Sequence, residues 1–207
     1  MAKVYAKLLA MGLAKQKPKL HTSEEYLEME RDSEVRHEYL DGEIFEMAGT
    51  NRRHNVISIN LIRLIGNQIL DRECNVYGSD MRVKILQANS YTYPDVVVIC
   101  GEELFEDETE DTLINPMLII EVLSKSTEAY DRGTKFESYQ TIESFREYVL
   151  VTQDPFRVEQ FVRKEENVWT YFEFRKADEI VRLNSIECEL SLSDIYHKLQ
   201  PKFPRKV

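Results

Sequence analysis

Long apolar runs are absent from this 207-residue sequence, and glycine and proline are scarce. No stretch approaches the roughly 18 consecutive apolar residues of a membrane-spanning helix, so we expect no membrane association. Seven glycines and six prolines are too few for a low-complexity chain, while 43% hydrophobic residues suffice for a core. We therefore predict one globular domain over residues 21–200, between a basic N-terminal segment (1–20) and a short tail (201–207).

Cysteine is also scarce: Cys74, Cys100 and Cys188 are the only three, and no two of them form a CxxC pair. An odd number without that spacing indicates neither a disulfide framework nor a cysteine-based zinc site. The four histidines lack HxxxH spacing, which disfavours a histidine-based zinc enzyme. These absences predict a cytoplasmic protein without disulfides.

Positive charge is in deficit, because 27 Lys and Arg residues face 37 Asp and Glu residues, for a formal charge of −10. All the acidic residues fall between residues 21 and 200, so this region is more acidic than the whole chain. Proteins that bind nucleic acid regardless of sequence normally present a basic surface. The composition argues against tight nonspecific DNA binding by a monomer, but it allows a local basic groove or carboxylates neutralised by cations.

Two short apolar runs each carry one carboxylate: residues 94–100 contain Asp95, and residues 117–123 contain Glu121. Brief runs rich in Val and Ile are typical of central strands. A carboxylate in such a strand leaves water, so it needs a partner or a metal ion. With the helix that follows, which bears Asp131, Lys135 and Tyr139, the two strands form a candidate active site.

The rest of the pattern predicts a mixed architecture. Asp41-Gly42 between two extended runs indicates a β-hairpin, and a helix is predicted from Asn51 to about Leu70. The acidic stretch 101–115 is predicted as a solvated loop, and residues 157–162 and 168–174 as an antiparallel hairpin. This order predicts an α/β (α+β) fold: a mixed β-sheet flanked by helices, with an N-terminal hairpin and a C-terminal β-rich extension.

Two carboxylates that converge on one point can hold a hard cation such as Mg²⁺, which prefers oxygen ligands and keeps several waters. Such an ion polarises a phosphate and lowers the pKa of a bound water. A nearby lysine could stabilise the charge that grows on the phosphate. Taken alone, the pair Asp95 and Glu121 is equally compatible with a buried structural ion pair.

Five segments give the sequence a family resemblance. YPDVVVICG, P-x-LIIEVLSKST, DRGTKFESYQ, EYVLV and the leading EYLDGEIFEMAGTNRRHNVI are similar to the Uma-type family of restriction-endonuclease-like proteins, in the PD-(D/E)XK nuclease superfamily. The resemblance covers residues from about 20 to 197. It implies a restriction-endonuclease-like core, a phosphodiesterase site dependent on Mg²⁺ or Mn²⁺, and DNA as the usual substrate.

The sequence departs from the superfamily pattern at Leu123, where a lysine is expected two residues after Glu121. Two lysines could replace it. Lys125 has the same strand parity but lies beyond the strand, whereas Lys135 lies on the next helix, one turn after Asp131. We prefer Lys135, although an Asp131–Lys135 surface ion pair would explain the same spacing.

The resemblance also implies an acidic residue from the first region, and the helix predicted at residues 51–70 contains none. Glu43 on the hairpin is our first choice and Glu38 the second. His54, in the first turn of the helix, could supply a ligand instead, or could be a buried, hydrogen-bonded histidine. Asp80 is a further possibility.

The resulting hypothesis is a Mg²⁺- or Mn²⁺-dependent endonuclease that hydrolyses DNA phosphodiester bonds with metal-activated water. Asp95 and Glu121 would ligate the metal, and Lys135 would position water or stabilise the transition state. Glu43 or His54 would complete the site.

Two alternatives remain open at this point. Leu123 and the acidic body favour a catalytically inactive interaction module that keeps the nuclease fold, and hydrolysis of a small phosphorylated molecule would need no basic track. A homodimer is a further prediction, based on aromatic residues that could instead belong to the core. They are Phe161, Trp169, Tyr171, Phe172 and Phe174.

Overall fold

The computed structural model describes residues 19–200, so nearly all of the predicted N-terminal segment and the tail lie outside the described residues. The helices are α1 (Ser23–Asp32), α2 (Arg52–Ile69), α3 (Glu128–Tyr130), α4 (Phe136–Tyr139) and α5 (Leu192–Ile195). A π-helical turn, Asp131–Lys135, joins α3 to α4. The strands are β1 (His37–Leu40), β2 (Glu43–Glu46), β3 (Cys74–Gly78), β4 (Arg82–Ile85), β5 (Ser90–Thr92), β6 (Val96–Cys100), β7 (Thr112–Leu113), β8 (Leu118–Leu123), β9 (Glu147–Thr152), β10 (Arg157–Glu165), β11 (Val168–Phe174), β12 (Ile180–Leu183) and β13 (Cys188–Ser191).

A six-stranded mixed sheet in the order β11-β10-β9-β8-β6-β3 forms the centre of the molecule. Every residue of β8 and β9 is buried, and these two strands pair in parallel, whereas their other neighbours are antiparallel. Because side chains alternate between the faces of a strand, each apolar run serves two cores. The predicted mixed α/β fold with flanking helices is confirmed.

One core lies under α2, where Ile57, Leu61 and Ile65 pack with Val98 and Ile120 of the central sheet. Asn51 begins this helix, since its side chain accepts hydrogen bonds from the backbone N–H groups of Arg53 and His54. The predicted helix therefore forms nearly as expected. Its first turn is held in a fixed position at one end of the sheet.

The second core lies on the opposite face, where Ile119 and Leu150 of the central sheet pack with Phe136 and Tyr139 of α4. Val83 of β4 joins them from a second sheet, of five strands, in the order β2-β1-β5-β4-β7. The sequence predicted one sheet with a hairpin appended. The structure instead pairs the hairpin with β5 and so builds it into a separate sheet.

The predicted N-terminal hairpin is present as β1 and β2. Asp41 and Gly42 both adopt positive φ, at 46° and 98°, which a two-residue turn between right-twisted strands requires. The register places Glu38 opposite Phe45 and Tyr39 opposite Ile44. Tyr39 faces inward and packs with Tyr26 and Tyr91, so Glu38 points to the other face of the hairpin.

The prediction of a protein without disulfides is wrong. Cys74 and Cys100 form a disulfide between β3 and β6, where the register places them directly opposite each other. Pairing of strands 26 residues apart brings these thiols together, and no local spacing rule could show it. The scarcity of cysteine therefore no longer supports a cytoplasmic location, which stays a prediction.

The acidic stretch is only partly the solvated loop that was predicted. Thr112 and Leu113 are buried in β7, which pairs in parallel with β4. Arg31 of α1 donates to Asp107 at 2.6 Å and to Asp111 at 2.9 Å, so cations hold this loop against the domain. Within residues 19–200, no helix is long and apolar enough to cross a membrane.

The C-terminal hairpin, β10 with β11, is confirmed, but some of its aromatic residues are in the core and others are exposed. Phe161 and Trp169 pack on Phe136 with ring centroids 4.8 and 5.2 Å away, and so belong to the core. Tyr171 and Phe172 remain exposed on the edge strand β11. The homodimer stays a prediction that rests on these last two residues.

Candidate active site

Asp95 and Glu121 come together because β6 and β8 are antiparallel neighbours. Val96 pairs with Ile120, and continuing that register places Asp95 opposite Glu121. The backbone N–H of Val122 donates to Asp95 Oδ2 at 2.7 Å, and the N–H of Asp95 lies 3.4 Å from Glu121 Oε2. The two carboxylates predicted from the apolar runs therefore lie side by side at one end of the central sheet.

Lys135 reaches this pair from the π-helical turn. Its Nζ lies 2.9 Å from Glu121 Oε1, and its side chain is only 5% exposed. Leu123 is on the same face of β8 as Glu121, but it is buried in the core with Ile119. The helical segment packs on this same face of β8. Lys135 therefore reaches Glu121 from the helix, while Leu123 occupies the strand position where the superfamily has its lysine. Lys125, the rival candidate, is exposed at the rim.

Of the acidic residues considered from the first region, Glu38 is the one that contacts the cluster. Its Oε1 lies 3.0 Å from Lys135 Nζ, and the backbone N–H of Tyr93 donates to the same oxygen at 3.3 Å. Glu43, our first choice, pairs with Leu40, two residues further along the hairpin on the same face, and it does not line the cleft. The structure thus does not bring Glu43 to the other candidates.

His54 contacts Asp95 from the first turn of α2. Its Nε2 lies 3.0 Å from Asp95 Oδ2, and its side chain is 10% exposed. Both alternatives for this histidine are compatible with that geometry, because it is buried and hydrogen-bonded and also faces the candidate site. Asp80, by contrast, is exposed and pairs with Arg36.

Asp131 and Tyr139, which were predicted to share the helical face of Lys135 but were given no catalytic role, also belong to this cluster. Asp131 Oδ1 lies 3.9 Å from Lys135 Nζ, and Tyr139 donates a hydrogen bond to Glu121 Oε1 at 3.3 Å. The hydroxyl of Tyr139 also lies 2.9 Å from that of Thr92. The signal for both was the spacing of four residues on either side of Lys135, which puts all three on one helical face.

The cluster is rich in negative charge, since Glu38, Glu121 and Asp131 lie within 4 Å of the Lys135 ammonium group and Asp95 lies beside Glu121. Burial raises the pKa of Glu121 well above its usual range, and the negative charges of Asp131 and Asp95 add to the effect, against the attraction of Lys135. Burial alone would lower the pKa of Lys135, but Glu121 and the other anionic neighbours raise it instead. The lysine therefore stays charged, and the cluster favours additional positive charge.

These side chains line one cleft of about 1320 Å³. Its walls come from the β1–β2 hairpin and the segment after it, the start of α2, and residues 122–128 after Glu121. Residues 152–155, at the end of β9 and just after it, also line the cleft together with Arg157. Both sheets thus contribute to a single concave site.

A protein-family model described as "Uma2: Putative restriction endonuclease" matches residues 23–194. The chain belongs to the Uma2 family. Families with the restriction-endonuclease-like fold generally depend on divalent metal ions, and membership supports a nuclease-like function.

Two proteins of Synechocystis sp. are similar to this Uma2 chain. The protein sll1609 is 40% identical over 151 residues, which are 73% of this chain and 85% of that one. The protein slr1290 is 34% identical over 182 residues, 88% of this chain and 94% of that one.

A solved structure shows the same fold. It is titled a putative nuclease belonging to DUF820, from Anabaena variabilis, and matches with a TM-score of 0.70 at 19% identity. The match covers 85% of this chain and 97% of that one, so the Uma2 chain has this nuclease-like fold over most of its length.

Proposed function

We propose that this Uma2 protein is a Mg²⁺- or Mn²⁺-dependent endonuclease that hydrolyses phosphodiester bonds of DNA. One observation carries the proposal: Asp95, Glu121 and Lys135 come from three separate elements and meet in one cleft. Lys135 supplies from a helix the ammonium group that Leu123 cannot supply from the strand.

One carboxylate oxygen of the site is available to such a metal ion, whereas both oxygens of Glu121 contact Lys135, Tyr139 or the backbone N–H of Asp95. Among residues 19–200, no three His, Cys, Asp or Glu side chains are already arranged as a metal cage. Asp95 Oδ2 is engaged by His54 and Val122, but Oδ1 accepts no hydrogen bond from the described residues, and the side chain lines the cleft. Asp95 and Glu121 would hold the ion as a two-carboxylate site that keeps several waters. When bound, the ion would polarise the scissile phosphate and lower the pKa of the attacking water.

The protein's own residues would orient and stabilise the reacting groups. Lys135, held by Glu38 and Glu121, would place its ammonium near the charge that grows on the phosphate oxygens. His54 and the N–H of Val122 fix the rotation of the Asp95 carboxylate. Such preorganisation avoids rearrangement during the reaction.

The test compares DNA cleavage in Mn²⁺ by the parent protein, Asp95→Ala and Glu121→Ala. We expect both substitutions to lower cleavage by at least about 100-fold, since each removes a charged group aimed at the reacting atoms. Asp80→Ala is the matched control, because Asp80 is an exposed aspartate outside the cleft, and it should retain activity. Full activity in both cleft variants would refute the assignment.

A second function is favoured by the closure of the charged cluster on itself. Lys135 already contacts Glu38 and Glu121, as a structural ion-pair cluster in a catalytically inactive interaction module would. Calorimetric titration with Mn²⁺ separates the two proposals. Binding that Asp95→Ala and Glu121→Ala both abolish supports the nuclease, and no binding by the folded parent supports the module.

A further inference from the structure

Phe45 stands exposed on the wall of the cleft beside the candidate site. It lies opposite Glu38 in the hairpin register, so the two side chains are neighbours on one face of the hairpin. Glu38 in turn contacts Lys135 at 3.0 Å. The ring of Phe45 is therefore the neighbour of Glu38, which contacts Lys135 of the proposed reaction centre.

The fold does not account for this ring. The hairpin contributes its opposite face to the interior, where Tyr39 and Ile44 pack with Tyr26. Phe45 belongs to none of the hydrophobic clusters in residues 19–200, and it is 45% exposed. A single exposed apolar side chain is ordinary on a protein surface, but Phe45 lines the cleft and so can contact whatever enters it.

The charges of the cleft disfavour a continuous duplex. Carboxylates outnumber cationic side chains in its lining. Arg53 is bound to the carbonyl oxygen of Gln153 at 2.6 Å, and Arg157 lies 3.7 Å from Glu159. Lys125 is exposed and has no ion-pair partner among the described residues. Duplex DNA carries about twice the negative charge per unit length of a single strand, so a cleft without a basic track disfavours the duplex more strongly than the single strand.

Single-stranded nucleic acid can be bound differently, because its unpaired bases stack on aromatic side chains whatever their sequence. We propose that the cleft accepts a single-stranded segment of DNA, with a base next to the scissile phosphate stacked on Phe45 and the backbone contacting Lys125. This inference rests on the proposed nuclease function and names its substrate class. It makes Phe45 a residue that determines specificity for unpaired DNA.

The test measures binding and cleavage separately. Fluorescence anisotropy with a labelled oligonucleotide in Ca²⁺ reports binding, and gel assays in Mn²⁺ compare cleavage of that strand with cleavage of its duplex. Phe45→Leu keeps an apolar side chain and removes the ring, so single-strand binding should weaken about 10-fold. Phe45→Trp should restore it. Phe172→Leu, at an equally exposed phenylalanine on β11, is the matched control and should bind like the parent.

Each outcome discriminates. Parent-like binding by Phe45→Leu, or faster cleavage of duplex than of single strand, overturns the inference while the nuclease function stands. Binding that depends on Phe45 without cleavage of any DNA refutes the nuclease function and supports the single-strand site. Loss of folding is checked by circular dichroism, and rescue by Phe45→Trp excludes it as the cause.

Discussion

Lys135 would combine a structural and a chemical role. Its ammonium is buried between Glu38 and Glu121, which belong to different sheets, and in the proposed function it is also the cation offered to substrate. Removing one partner from a buried ion pair leaves the other charge without compensation. At this position, chemistry and stability depend on the same contacts.

We therefore expect Lys135→Met to abolish cleavage and also to destabilise the metal-free protein by about 3 kcal/mol, because buried carboxylates lose their counter-charge. Urea denaturation of the parent and the variant measures this difference. Lys125→Met is the control, since Lys125 is exposed at the cleft rim and its loss should change the free energy of unfolding by less than about 0.5 kcal/mol. Equal stabilities for Lys135→Met and the parent would contradict the reading of the cluster.

The sequence predicted which candidate side chains come together where local pattern decides their position. Asp95 and Glu121 stood out as carboxylates in apolar runs, and the spacing of Asp131 and Lys135 put the lysine on the correct helical face. Between Glu38 and Glu43 the pattern could not decide, since both lie on one face of the hairpin. Only the docking of the hairpin against β5 shows which of the two enters the cleft.

At the scale of elements, the disulfide joins the edge strand β3 to its neighbour β6. Strand β6 begins directly after Asp95, so the cross-link stabilises the part of the sheet next to the candidate site. Its cysteines are separated by 26 residues in the chain. A cross-link that closes a loop of that length lowers the conformational entropy of the unfolded chain. In the chain-entropy account, this raises the free energy of unfolding by roughly 3 kcal/mol.

The double substitution Cys74→Ala with Cys100→Ala should lower the free energy of unfolding by about 2–4 kcal/mol. Denaturation with and without a reducing agent supplies the internal control. Reduction should destabilise the parent by a similar amount and leave the double variant unchanged. Parent stability that is insensitive to reduction would show that the cross-link contributes nothing.

Element pairing was the part of the fold that the sequence conveyed least. The consecutive strands β3 and β4 are separated by only three residues, yet they belong to different sheets. The partners of these strands are distant in the chain, so no local periodicity identifies them. The same holds for Cys74 and Cys100, whose pairing follows from the β3–β6 register.

Across the whole molecule, the acidic loop is fixed by cations from two elements. Asp111 lies 2.9 Å from Arg31 Nε of α1 and 2.8 Å from Arg82 Nη2 of β4, which is buried. Burial alone would raise the pKa of Asp111, but hydrogen bonds from Arg31 and the charge of Arg82 hold it well below its usual range. The ionised form is therefore the one that stabilises the folded state.

Because the pKa of Asp111 is lower in the folded than in the unfolded chain, its contribution is present above pH 4 or so and is lost as the pH falls further. Asp111→Asn should destabilise the protein by about 1 kcal/mol at pH 7, after screening by solvent. That difference should shrink below about pH 4, and thermal unfolding from pH 3 to pH 7 measures it. Glu108→Gln, at an exposed acid in the same loop, should show no such trend.

The ion pairs of Lys135 cross the seam between two sheets that otherwise fold around different strand partners. A relative without catalytic activity would still need that lysine and its carboxylates to hold the two sheets together. A relative that keeps Glu38, Glu121 and Lys135 would therefore be expected to keep this contact between the sheets. The three residues alone would not show that the relative is an active enzyme. The ring of Phe45 belongs to no hydrophobic cluster of the described residues. In the proposed single-strand function, its presence in a relative should depend on the substrate and not on the fold.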